Sequence, residues 1–102
     1  MQYKILQLNK DHQDQLFMRY KEGIKKSWYN EVWSGYVEPK NSIVEPKNSI
    51  RGTLEHLYYI FNMEHPNGFR GHSLSVSDVV YLDGKYYYCT TFGYKELTDF
   101  ED

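Results

Sequence analysis

The stretch Val79-Val80-Tyr81-Leu82-Asp83-Gly84-Lys85-Tyr86-Tyr87-Tyr88-Cys89 decides the fold. Two runs of β-branched and aromatic residues flank Asp83-Gly84, a dipeptide that accepts the positive φ angles of a two-residue hairpin turn. The turn sets the register: Leu82 opposite Lys85, Tyr81 opposite Tyr86, Val80 opposite Tyr87 and Val79 opposite Tyr88. Val80, Leu82, Tyr87 and Cys89 then share one face, and Val79, Tyr81, Tyr86 and Tyr88 share the other. Residues Thr91 to Leu97 offer one more short strand after Gly93.

Upstream, Tyr3 to Leu8 reads as a strand with Tyr3 and Ile5 on one face. Asp11 suits a helix N-cap, and Leu16, Tyr20 and Ile24 recur at helical spacing with Phe17 beside them, which predicts a helix of about three turns. Lys21, Lys25 and Lys26 fall toward its C-terminal end, where positive charge suits the helix dipole. Glu31–Val37 reads as a second strand. Thr53 is the expected N-cap of a second helix, with the apolar stripe Leu54, Leu57, Tyr58 and Phe61. The fold class is therefore α+β: a small, mostly antiparallel sheet with two helices, in the order β-α-β-loop-α-β-β.

Between the second strand and the second helix lies an exact repeat. Val37–Ile43 is Val-Glu-Pro-Lys-Asn-Ser-Ile, and Val44–Ile50 is the same seven residues. Pro39 and Pro46 exclude a continuous helix. Residues 37–50 read as a duplicated surface loop of the kind that tolerates insertion, with a doubled binding loop as the alternative. One copy is expected to suffice for the connection, so deleting Val44–Ile50 should leave thermal stability within a few degrees.

The chain has 102 residues, enough for one domain over 1–102, and its acidic end, residues 98–102, reads as a frayed tail. Hydrophobic residues make up 40% and charged residues 25%, a globular balance. The mean hydropathy is −0.76, yet 18% of residues are aromatic, eleven of them Tyr. No apolar run is long enough to span a membrane, no signal region opens the chain, and a single cysteine excludes an internal disulfide framework. A cytoplasmic setting is expected. Residues 1–51 hold nine Lys/Arg and six Asp/Glu, a net +3; residues 52–102 hold three and eight, a net −5. So near-neutral a chain is poorly suited to nonspecific duplex binding, and the asymmetry suits a protein surface with a basic and an acidic side.

Few constellations carry chemistry. His65, His72 and Cys89 match no standard zinc spacing, so no metal and no cofactor are expected. Cys89 sits on a presumed core face without a helix N-terminus to lower its pKa, which disfavours a Cys–His nucleophile. His72 could serve as general base of a metal-free ribonuclease, with Arg70 stabilising charge. Gly68, Gly71 and the serines of Ser73-Leu74-Ser75-Val76-Ser77-Asp78 lack the lysine and following helix of a phosphate loop. Ser77 and Asp78 instead suit side-chain-to-backbone bonds at a turn that launches the hairpin. The Tyr81, Tyr86 and Tyr88 face reads as a packed strand face first, as a set of protein-binding anchors second, and as a base-stacking platform third.

Phe61-Asn62, His65-Pro66 and Phe69-Arg70-Gly71-His72-Ser73-Leu74-Ser75-Val76-Ser77-Asp78-Val79-Val80 resemble the YodL-like domain family. Tyr88, Phe92-Gly93-Tyr94 and the opening Tyr3-Lys4-Ile5-Leu6-Gln7-Leu8 continue the match. The resemblance implies Gly71, His72, Ser73, Ser75, Ser77 and Asp78 as the family motif. It also implies a setting on mobile genetic elements of Gram-positive bacteria: plasmids, conjugative transposons and phages. Thr90 departs from the pattern, which often has a carboxylate there, and this weighs against an enzyme. In that setting the expected function is inhibition of a host-defence protein, foremost an anti-CRISPR acting on a type II effector nuclease. Such a protein would compete with guide RNA or target DNA, with no membrane partner and a homodimer left open. Glu96, Asp99, Glu101 and Asp102 are the expected charge contacts, with Tyr86 and Tyr88 as anchors. The alternatives are a nucleic-acid-binding or guide-RNA-cleaving protein using Arg19, Lys21, Lys25, Lys26 and Arg51, and an interaction module for other mobile-element proteins.

Overall fold

The computed structural model describes residues 1–16, 23–42 and 49–100. Five strands form one antiparallel sheet in the order β2-β1-β3-β4-β5: β1 Gln2–Leu8, β2 Tyr29–Tyr36, β3 Val79–Leu82, β4 Lys85–Thr90 and β5 Gly93–Leu97. The chain is α+β, with the single α-helix of the described residues, α1, over Ser49–Met63.

The β3–β4 hairpin has the register expected from its turn, Leu82 opposite Lys85 through Val79 opposite Tyr88. Asp83 and Gly84 take φ of +50° and +95°, the left-handed pair a two-residue hairpin needs. β1 lies between β2 and β3, and each of its faces packs in a separate cluster. Tyr3 and Ile5 pack under α1 with Leu54, Leu57, Phe61, Leu74, Val80, Leu82 and Tyr87. Leu6 and Leu8 pack on the opposite face with Ile24, Tyr29, Val79, Tyr88, Leu97 and Phe100. A bulge between Ile5 and Leu6 shifts the β1–β2 pairing and increases the local twist.

Three expectations are corrected. The first helix is not an α-helix where the structure describes it: Lys10–Gln15 is a 3-10 turn, and Leu16 is already extended. Asn9, not Asp11, is the cap; its side chain accepts from the Asp11 N–H, and Gln13 Nε2 donates to the Leu8 and Asn9 carbonyls. Short polar side chains that bond nearby backbone favour turns over helix. Phe17 and Tyr20 lie outside the described residues. In the stretch expected to fray, Phe100 is packed instead, 7% exposed and edge-on against Tyr29, while residues 101–102 lie outside the described residues.

The third correction concerns the repeat. Its first copy runs as a strap along α1. Val37 exchanges hydrogen bonds with Met1, the Lys40 N–H donates to Thr53 Oγ1 at 3.0 Å, and Ser42 is buried and bonds Glu55. Gly52 admits the strap, since a Cβ there would overlap the Lys40 carbonyl oxygen. Thr53 is thus no N-cap but the strap's anchor inside the helix, its hydroxyl donating to the Ser49 carbonyl at 2.6 Å. The second copy ends as the helix's first turn, Ser49–Ile50. Residues 37–42 of the first copy and 49–50 of the second thus have different surroundings, while residues 43–48 lie outside the described residues. Deleting Val44–Ile50 would force Ser42 to be both strap and helix start. The deletion is expected to cost about 2–4 kcal/mol through lost burial and hydrogen bonds, lowering the Tm by more than about 10 °C. Gly52→Ala should cost about 1–3 kcal/mol by overpacking the same contact. Thermal melts followed by circular dichroism check both; unchanged midpoints would refute the strap.

Candidate functional site

The residues just before β3 form a knot of polar contacts around one buried carboxyl. Asp78 is 0% exposed. Its Oδ2 accepts from the Ser75 N–H at 2.8 Å and from Gln7 Nε2 at 3.2 Å. Its Oδ1 has no hydrogen-bond partner and faces His72 Nε2 at 3.6 Å. Gln7 reaches across from β1 and pairs with the His72 main chain like a strand residue: Oε1 accepts from the His72 N–H at 3.1 Å, and Nε2 donates to its carbonyl at 2.8 Å. Gly71 is required beside it, because a Cβ would collide with Gln7 Oε1 and the Phe69 ring.

Ser77 and Ser73 complete the knot. Ser77 is buried with φ of +85°, a conformation costly for a non-glycine residue. It is held by its N–H to the Cys89 carbonyl at 2.9 Å and by the Tyr29 hydroxyl donating to its carbonyl at 2.6 Å. The Ser73 carbonyl accepts from Ser75 Oγ and lies 2.7 Å from His72 Nδ1.

Burial pushes the Asp78 carboxyl up to about 8, against the opposing pull of its bonds from Ser75 and Gln7. At neutral pH it therefore holds a proton. Oδ2 already accepts two N–H groups, so the proton sits on Oδ1, facing His72. Burial, then the Asp78 charge, pushes the Cys89 thiol up to about 12, which leaves it a packing group rather than a nucleophile. His65 lies at the end of α1 with Nε2 2.7 Å from the Phe61 carbonyl, so His65, His72 and Cys89 are not brought together. Among the described residues no three His, Cys, Asp or Glu side chains converge as a metal site would need. What this arrangement can do is hold and release a proton. Both His72 ring nitrogens face groups of the chain itself.

The sequence pattern of the YodL-like domain matches residues 2–100. The chain belongs to the YodL-like domain family. No curated protein and no solved structure matches it significantly. In this YodL-like domain the motif residues Gly71, His72, Ser73, Ser75, Ser77 and Asp78 fall together in the knot just described.

The expected partner residues are not brought together. Tyr88 is 2% exposed in the core beneath Tyr29, so it presents no surface. Tyr86 is half-buried among Tyr81, Phe100 and Lys26 on the face away from α1. Glu96 pairs opposite Tyr87 on the α1 side, 3.8 Å from Lys85. Asp99 is exposed, and Glu101 and Asp102 lie outside the described residues. A groove of about 860 Å³ runs between α1 and the β4–β5 pair, bounded by Arg51, Tyr58, Tyr87, Tyr94 and Glu96, with Phe92 at its mouth. Phe92 is 97% exposed at the β4–β5 turn. An aromatic residue in the turn Thr90-Thr91-Phe92-Gly93, between two strands, was the signal that could have marked it.

No membrane-crossing helix exists among the described residues. Gln7→Leu is expected to cost about 2–4 kcal/mol, because it strips the His72 N–H and Asp78 Oδ2 of partners at a buried site. Urea unfolding measures it; a loss under about 0.5 kcal/mol, the level of ordinary surface changes, would contradict the knot's role.

Proposed function

We propose that this YodL-like domain is a stoichiometric inhibitor that works by protein contact on a bacterial defence protein, foremost a type II CRISPR effector nuclease. The observation that carries the contact reading is Phe92, a large apolar side chain almost wholly in water at the mouth of a groove. Exposed aromatic residues beside a concave surface are the usual anchors of protein interfaces. The identity of the target rests on the family's implied setting and on charge. Effector nucleases hold guide and target in positively charged channels. Glu96 lines the groove, whereas Asp99 follows β5 at the end opposite Phe92, and Glu101 and Asp102 lie outside the described residues. The interface in this reading therefore moves from the Tyr86 and Tyr88 face to the β4–β5 turn, keeping Glu96 of the expected charge contacts.

Pull-down of the nuclease, with and without guide RNA, tests this reading. Retention is expected in at least one loading state; no retention in any would refute it. Phe92→Ala is expected to weaken binding at least tenfold, about 1.4 kcal/mol, with the Tm unchanged. Tyr36→Ala, at an equally open position on the far edge strand, should bind as the parent does. Guide RNA incubated with the protein alone separates the nucleic-acid reading: cleavage, or a salt-sensitive mobility shift, would favour it over protein contact.

A further inference from the structure

The His72–Asp78 pair has a design that partner binding does not use. A fully buried carboxyl oxygen with no hydrogen-bond partner points at the imidazole of a half-exposed histidine. At 3.6 Å the two atoms stand at ion-pair range, and a small ring rotation closes a hydrogen bond. The ring's other nitrogen lies 2.7 Å from the Ser73 carbonyl and 3.3 Å from Gln7 Nε2; the nearer carbonyl favours the proton on Nδ1, the tautomer that leaves Nε2 for Asp78.

We propose that His72 and Asp78 form a one-proton latch: a single proton shared between Nε2 and Oδ1 holds the imidazole over the carboxyl, and its loss to solvent frees the ring and loosens residues 71–77 from β1. With that proton present, either partner donates to the other. Without it, two lone pairs face each other, and the half-exposed ring turns away toward water. Main-chain His72 is bonded to Gln7, and Gln7 is bonded to Asp78, so release at the ring acts on the same three residues that tie the loop to β1.

The other groups facing Asp78 do not compete for this proton. Gln7 on β1 is a neutral amide and the Ser75 contact is a backbone N–H. Tyr29 on β2, Tyr88 and Cys89 on β4 and Tyr94 on β5 all have pKa values raised by burial first, with the Asp78 charge contributing, so they stay neutral where Asp78 ionises. The direction of the pH effect follows. The folded carboxyl titrates at about 8. The unfolded one titrates near its ordinary value of about 3.9. The folded state therefore holds the extra proton between these values, and its stability falls as pH rises through that window and levels off above it.

The test uses the full chain from pH 5 to 9.5. In the parent protein the Asp78 carboxyl carbon resonance is expected to move through a step centred near pH 8. Over that step the hydrogen-exchange protection of the His72 amide, corrected for intrinsic rates, should fall at least about tenfold. In Asp78→Asn the amide oxygen keeps the bonds from Ser75 and Gln7, and its NH₂ donates to the neutral imidazole with no carboxyl proton to lose. Its protection should stay flat and its Tm should lack the parent's decline between pH 5 and 8.5. If Asp78→Asn does not fold, His72→Gln replaces it: the Gln amide donates to the carboxyl in either protonation state, so protection should stay flat while the Tm keeps the decline that the buried carboxyl causes. An Asp78 carboxyl that does not titrate in the pH 8 region, or one that titrates there while His72 amide protection holds, would overturn the latch.

Discussion

The burial of one carboxyl, Asp78, is the constraint on which the arrangement depends. A polar group shut off from water must find partners or lose its charge. Asp78 does both: Oδ2 takes the Ser75 N–H and the Gln7 amide, and the group holds a proton at neutral pH. Those two bonds lock the turn that launches β3 and tie it to β1 at the sheet's centre. The Asp78 main chain adds a third tie, its carbonyl accepting the Cys89 N–H at 2.8 Å. Loop, β1 and β4 therefore meet at one residue. The strained Ser77 conformation and the need for glycine at position 71 follow from the tightness of that meeting.

Much of the fold was legible. Asp83-Gly84 specifies a turn by backbone chemistry alone, so the hairpin register could be read residue by residue. The stripe Leu54, Leu57 and Phe61 marked the helix face for the same local reason, while Tyr58 falls at the groove edge. The first helix failed because Asn9 and Gln13 bond the backbone they sit on, a competition that apolar spacing does not register. The repeat misled because identical sequence suggests identical role, whereas burial of Ser42 under α1 is set by Gly52 and Thr53, remote in sequence.

The site was legible only as a motif. Ser77 and Asp78 read as a surface turn, the ordinary place for those residues, and nothing local shows that Gln7, 71 positions away, closes over the carboxyl. The Tyr face misled for the converse reason. Tyr88 alternates correctly but lies under residues 24–29 and Phe100, which only the tertiary structure brings there. The motif knot and the β4–β5 groove thus divide the molecule's work. One holds the buried carboxyl and ties the loop to β1, while the other exposes an aromatic side chain at the rim of a groove.

The central claim is that Asp78 is buried, doubly accepting and protonated at neutral pH. Carbon-detected NMR of the Asp78 carboxyl carbon during a pH titration of the folded protein measures this directly. The account predicts a titration midpoint near 8. A midpoint near the ordinary aspartate value of about 3.9 would contradict it.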